Sequence, residues 1–314
     1  MIKIRFKNII SGWNKIKRFG LFIPVSNIVL NYCHSFLPDR VIKSIFNRRN
    51  DLIERAIIQT IGNTTESDAL NTSGKSDKIW VLWLQGESQM PLIPQMCLNS
   101  IRKHSNGHEV ILLSMDNLHE YCPLSDRILN LYKNGNITPA HMSDIIRVEL
   151  LCRHGGFWID STVYLTSDIP KSIFEKEIYS MKSEPEGLYV SECRWAGFCI
   201  FMKSSFILSD MLHDMLQRYW DKQDWLIDYF ILDYLIDIAA KKSKTVADAI
   251  NSIPYNNCHL HSLAPLLAHN YDEETFNQLI KDTSFFKLSW KLYSNDELLS
   301  NPGNFYAKLA EMAK

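Results

Sequence analysis

No Cys-x-x-Cys pair occurs in this 314-residue chain, and its seven cysteines (33, 97, 122, 152, 193, 199 and 258) are scattered and odd in number. That pattern argues against a zinc site and a disulfide framework, and predicts reduced, buried thiols in a cytosolic setting. A Gly-x-Gly-x-x-Gly turn is also missing. Gly86 stands alone after the first apolar run, which disfavours a dinucleotide-binding protein. No apolar run approaches the roughly 20 residues that span a bilayer. The best stretch, Phe19 to Leu37, is broken by Pro24, Asn27, Asn31 and His34. The N-terminal region offers no long apolar core and no small-residue cleavage site, so a cleavable signal peptide is not expected. Internal repeats and nucleic-acid modules are absent as well, and nucleic acid is not an expected partner.

What is present is an ordinary globular composition, 46% apolar and 22% charged, enough to bury a sizeable core. The charge is unevenly placed. Residues 1–50 hold ten Lys/Arg against the single acid Asp39, a balance of about +9; against the chain's net −1 this leaves the remainder near −10. Three readings of that basic segment stay open. It is the solvated face of a helical subdomain, or it attaches peripherally to an anionic inner leaflet through bases interleaved with Trp13, Phe19, Leu21 and Phe22. The third reading, nucleic-acid binding, is the weakest.

Residues 1–76 read as a basic, mainly helical segment followed by a polar linker from Gly62 to Asp77, and residues 77–314 as the main domain. Ile79 to Leu84 is a continuous apolar run of strand length, as in a central parallel strand. A helix from Pro91 to His104 and a strand from Glu109 to Ser114 follow, an alternation that predicts an α/β fold with a helix-flanked sheet. Thr138-Pro139 starts a helix that Gly155 stops near His154. One strand is expected over Phe157–Thr166 and two more over Gly187–Glu192 and Phe198–Met202. Helices are expected over Phe206–Trp220 and Trp225–Ala240.

The helix after Thr138 is apolar around most of its circumference, as a buried helix is. Asp144 and Arg147 nevertheless share one of its faces, either as a buried ion pair or as a binding pair. Asp160 ends the next strand, where α/β sheets present ligand-binding groups. Further on, Asp224 and Asp228 would share one helical face and Asp233 and Asp237 another, so at most one pair can face the cleft. Trp195, between two strands, is read equally as a wall of an acceptor pocket and as core.

The run Ser143, Asp144, Arg147, Gly155, Gly156 and Asp160 resembles the donor site of DXD-type glycosyltransferases of GT-A fold, and is most similar to their capsular polysaccharide synthesis branch. Thr162 stands where the broad family has its second aspartate. The resemblance implies a GT-A domain with a Rossmann-like mixed sheet, and retaining transfer from a UDP-sugar to a glycan or lipid-linked oligosaccharide on the cytoplasmic face of a bacterial membrane. It also implies that Trp83, Asp144, Arg147, Ser161, Thr162, Lys287, Ser289 and Trp290 bind the donor and that Asp160 and Asp228 are catalytic. Asp228 is preferred over the other helix acids because related retaining enzymes carry an acidic helix there. A divalent metal, Mn²⁺ or Mg²⁺, would rest on Asp160 and His261, with His259 as the other candidate histidine. The substitution at Thr162 leaves room for an enzyme that uses Lys287 or Lys291 for the diphosphate, and for a nucleotide-sugar-binding protein without turnover.

Overall fold

The computed structural model describes residues 16–18, 20–33, 36–62, 77–185 and 187–314. Two helices open the described chain: α1 (Phe22–Ile28), continued by a wider turn to Cys33, and α2 (Asp39–Ile61). The expected linker between its ends Gly62 and Asp77, and the bases and aromatics before residue 16, lie outside the described residues. There follow β1 (Ile79–Leu82), α3 (Leu92–Lys103), β2 (Val110–Leu113), α4 (Leu118–Tyr121), α5 (Asp126–Lys133), α6 (Pro139–His154) and β3 (Gly156–Ile159). The second half holds β4 (Val163–Leu165), β5 (Ile178–Ser180), β6 (Cys199–Met202), α7 (Ile207–Lys222), α8 (Ile231–Lys242) and α9 (Lys244–Asn251). It closes with α10 (Glu273–Ile280), β7 (Phe285–Lys287), α11 (Asn295–Leu299) and α12 (Phe305–Met312).

Five strands form a mixed sheet in the order β2-β1-β3-β6-β5, in which β6 alone runs against its neighbours. Side chains alternate across it as the strand period demands. Ile79, Val81, Phe157 and Ile159 pack on one face with Leu98 and Ile101 of α3. Trp80 and Trp158 enter the opposite layer with α6, α7, α8 and α2. The fold is therefore α/β with a helix-flanked sheet, as the alternation of elements predicts.

Three local expectations are corrected. The run 157–166 is not one strand: the chain leaves the sheet at Asp160, turns (Val163 N–H to the Asp160 carbonyl, 2.9 Å), and enters a separate two-stranded sheet of β4 and β7. Residues 187–192 form turns rather than a strand, and the edge position goes to β5. The helix expected from Trp225 begins only at Ile231, because Asp228 folds back to accept the Phe230 N–H at 3.0 Å and ends the preceding turn there. The thiols of Cys97, Cys122, Cys152 and Cys199 are buried as expected, whereas Cys258 is exposed.

The Gly-Gly break has two separate reasons. Gly155 caps α6 at φ +62, and Gly156 at φ +104 lies so close to β1 that a Cβ would come 2.5 Å from the Lys78 carbonyl oxygen. No helix among the described residues is long and apolar enough to cross a membrane.

α2 is part of the core. Ile53, Ala56, Ile57 and Ile61 are buried in the layer shared with α6, α7 and α8. Arg49 fixes this docking. Its guanidinium pairs with the buried Asp228 carboxylate and donates to Asn27 (2.7 Å), Asn50 (3.0 Å) and the Tyr234 hydroxyl (3.2 Å). Removing one partner of such a buried pair leaves the other charge desolvated, at about 3–5 kcal/mol. Asp228→Ala should therefore lose about 3–5 kcal/mol in urea unfolding; a loss below about 1 kcal/mol would show that the pair contributes little.

Candidate functional site

β1 and β3 run in parallel, Ile79 beside Phe157 and Trp80 beside Trp158, so Trp83 and Asp160 leave the same edge of the sheet, at the C-terminal ends of its parallel strands. Asp160 lies two residues beyond Trp158 and so points to the same side of the sheet, toward α6. Arg147 of α6 lies there, its guanidinium carbon 4.9 Å from the centre of the Trp158 ring.

Asp144, Arg147 and Asp160 thus come together. Arg147 donates through Nη1 to Asp144 (2.8 Å) and through Nη2 to Asp160 Oδ1 (3.2 Å). The indole N–H of Trp158 donates to the same oxygen at 2.8 Å. Oδ2 receives the ammonium of Lys287 at 2.7 Å. Lys287 reaches this point, 127 residues away, because β7 pairs antiparallel with β4 and sets Lys287 opposite Val163, just past the Asp160 turn. Leu288 N–H binds the Thr162 carbonyl at 2.8 Å and extends that pairing. Burial pushes the Asp160 carboxyl up, but Lys287 and Arg147 outweigh it and hold the group below the usual carboxylate range.

A second line of contacts supports Asp144. The Trp220 indole N–H donates to His141 Nε2 at 3.0 Å, which leaves the neutral imidazole's proton on Nδ1, 3.4 Å from Asp144 Oδ2. His141, Trp158 and Trp220 had no place in the sequence reading. The i, i+3 spacing of His141 and Asp144 and the i, i+2 spacing of Trp158 and Asp160 were its available signals.

The other expected donor residues divide. Trp83 and Trp290 meet edge to face, ring centres 6.1 Å apart, and the Trp83 indole N–H is buried without a partner. An unpaired buried donor is unfavourable unless a ligand supplies its acceptor. Ser161 is buried in the turn, while Thr162 and Ser289 are partly buried. Lys291 is exposed, its ammonium 5.4 Å from the Trp290 ring.

Asp228, expected to be catalytic, pairs with Arg49 and precedes the helix on which a shared face with Asp224 was expected. Asp233, in the first turn of α8, lines the same cavity as Asp228. It accepts the Trp195 indole N–H at 2.8 Å and feels the charges of Asp144 and Arg147. Trp195 is buried, as its core reading expects, and its indole N–H bonds the Asp233 carboxylate.

A divalent cation takes several oxygen ligands. Asp160 offers one carboxylate whose oxygens already accept three donors, two of them cationic. His261 is exposed with its ring 6.3 Å from that of Phe198, and no group of three or more His, Cys, Asp or Glu converges among the described residues. The residues do not by themselves fit a resident metal. A divalent cation would have to arrive with a diphosphate and displace Lys287.

The family model described as "Capsular polysaccharide synthesis protein" matches residues 34–309. A curated relative, "O-glycosyltransferase braB" of Annulohypoxylon truncatum, is 28% identical over 138 residues, 41% of this chain. The aligned part spans 31% of that relative's length.

Burial pushes the Asp233 carboxyl up from 3.8 to about 6, with Asp144 and Asp228 adding to the rise while Trp195 and Arg147 oppose it. A raised acid binds its proton more tightly when folded, so stability falls as pH climbs from 3.8 to about 6 and stays reduced above. Two units correspond to about 3 kcal/mol. Asp233→Asn, which keeps the oxygen facing Trp195, should raise the melting temperature at pH 7.5 and lose most of that gain at pH 4. An equal effect at both values would show that burial of the charge is not the cause.

Proposed function

The chain belongs to the capsular polysaccharide synthesis protein family, and on that premise we propose that it is a GT-A glycosyltransferase. It would move a hexosyl group from a UDP-sugar to a glycan or lipid-linked oligosaccharide in surface polysaccharide synthesis. The observation that carries this reading is Asp160 held between Arg147 and Lys287 at the ligand-binding edge of the sheet. Transfer requires neutralisation of the charge that develops on the departing diphosphate, and fixed cations in a water-poor site do this well. Lys287 and Arg147 are those cations. Asp144, with an acceptor oxygen on either side of its carboxylate, grips sugar hydroxyls. Trp83 and Trp290 frame the base, and a base carbonyl would satisfy the orphan Trp83 N–H. The relative's description as an O-glycosyltransferase supports transfer to an oxygen nucleophile. The family resemblance implies retention of anomeric configuration.

The acceptor's lipid carrier agrees with the N-terminal helices. Leu21, Val25, Ile28, Tyr32 and Phe36 are exposed at roughly helical spacing, and the exposed bases Lys17, Arg40, Lys43 and Arg48 lie on the same segment. That combination suits peripheral contact with an anionic leaflet on the cytoplasmic face. Because α2 is core, deletion of residues 1–50 would unfold the chain, so point changes are the sound test. Leu21→Asp with Val25→Asp should abolish sedimentation with phosphatidylglycerol vesicles and leave UDP-sugar hydrolysis intact. Equal sedimentation would remove the membrane from the proposal.

The second reading, a nucleotide-sugar-binding protein without turnover, is favoured by Thr162 at the second aspartate position. Donor hydrolysis separates the two. Arg147→Ala and Lys287→Ala should each lower UDP-sugar hydrolysis by about 100-fold or more, as loss of a fixed positive charge at a developing anion does, and Asp160→Ala should lower it by releasing both cations from their shared anchor, all with unchanged circular dichroism. EDTA should alter it by less than about threefold if Lys287 fills the cation's place. Binding of UDP-sugars without any hydrolysis or transfer would favour the second reading, and strict dependence on Mn²⁺ would remove Lys287 from the leaving-group role.

A further inference from the structure

Three cavities of about 370, 530 and 330 Å³, each large enough for a ligand, share Phe46 of α2 and Tyr189 of the loop before β6 as walls. The first also reaches Asp233, and the other two share Asn47, Glu192 and Arg194. Together they trace a groove from Asp233 outward between α2 and the loop. We propose that this groove is the acceptor site and that it takes an oligosaccharide several sugars long, whose reacting end lies at Asp233. The proposal rests on the glycosyl-transfer reading above and names its second substrate's place.

The α2 wall is built by helical spacing. Phe46, Asn50 and Glu54 recur every four residues along one face, with Asn47 and Asp51 beside them, while Ile42, Arg49, Ile53 and Ala56 turn into the core. The opposite wall is held rigidly. Glu192 and Cys193 take successive left-handed backbone angles (φ +49 and +59), uncommon for residues with a Cβ, and such strain persists only where the surroundings fix it. Here they do: Arg194 bonds Asp237 of α8 at 2.5 Å, and the next residue, Trp195, bonds Asp233 at 2.8 Å. Lys241 bridges Asp237 to Glu54 of α2 and ties the two walls at the helix end.

The lining fits sugars in particular. Half-exposed rings offer apolar faces to pyranose C–H groups, and amides and carboxylates accept and donate to hydroxyls. Tyr189 is 52% exposed although large and aromatic, which makes it a stacking platform that packing does not require. The groove also meets the donor site at one point. Gly197 separates Arg147 from α8: a Cβ there would lie 3.4 Å from Arg147 Nη1 and 3.7 Å from Leu232, the residue before Asp233. Asp233 and Tyr229, which line the same cavity, both feel the charges of Asp144 and Arg147, so the groove's inner end adjoins that pair.

The test uses the full chain on a printed array of microbial surface oligosaccharides, with UDP binding by calorimetry on the same preparations. Wild type should bind a subset of the array. Tyr189→Ala and Phe46→Ala should lower that signal at least tenfold, Tyr189→Phe should retain it, and UDP affinity should stay within twofold in all three. Tyr189 is exposed, so its replacement should leave the fold intact, and the Phe variant separates loss of stacking from loss of the hydroxyl. The groove assignment is overturned if wild type binds no printed glycan, if the alanine variants bind as wild type does, or if Tyr189→Phe loses as much as Tyr189→Ala. Glycan binding without UDP binding would sink the donor reading and leave the groove standing.

Discussion

Arg147 is a single cation shared between two carboxylates that approach it from different elements. Asp144 precedes it by one turn of α6, and Asp160 comes from the end of β3. Without the guanidinium, two buried-edge carboxylates would face each other with only Lys287 to offset them. With it, α6, β3 and the β4–β7 pair are tied at one point, because Lys287 closes on Asp160 from the far side. The site's geometry follows from that neutralisation. Two cations held by one strong acid can turn to a diphosphate, whose charge replaces the carboxylate's.

The polar chain continues on both sides of Arg147. Trp220 fixes the His141 tautomer, His141 faces Asp144, and Arg147 lies over the Trp158 ring whose own N–H meets Asp160. A helix that is apolar nearly all round can hold this chain because each polar group has a named partner. The Nε of Arg147 is an exception. Three tryptophans, 80, 158 and 220, fill the same layer, so the charged line is embedded in rigid aromatic packing that limits its rearrangement.

The site's sequence-local half was legible from spacing alone. Asp144 and Arg147 lie one turn apart on a capped helix, the Gly-Gly break stops it, and Asp160 follows a short apolar strand; each step obeys a period that a single stretch of chain displays. The rest depends on pairing between distant segments. Lys287 opposes Val163 only because β7 joins β4, and that second sheet was hidden by reading 157–166 as one continuous strand. The uniform helix expected from Trp225 likewise hid the turn that Asp228 makes before α8. Asp228 instead caps its own turn and turns to Arg49, a partner 179 residues earlier that no periodicity could announce.

That same ion pair changes what the N-terminal segment is for. Read from composition, its bases suggested a solvated or membrane-facing appendage. In the folded chain one of them, Arg49, is buried and spent on Asp228, and α2 carries two faces of different purpose. Its apolar face completes the core layer of α6, α7 and α8, while its polar and aromatic face is left lining cavities that run toward Asp233. Exposed bases and apolar side chains remain around it, on α1 and at the start of α2. A helix anchored by a buried pair can hold such a wall at fixed distance from the donor edge. Detached on a linker it could not, so the proposed acceptor groove depends on the burial of Arg49 as much as on any residue at the sheet's edge.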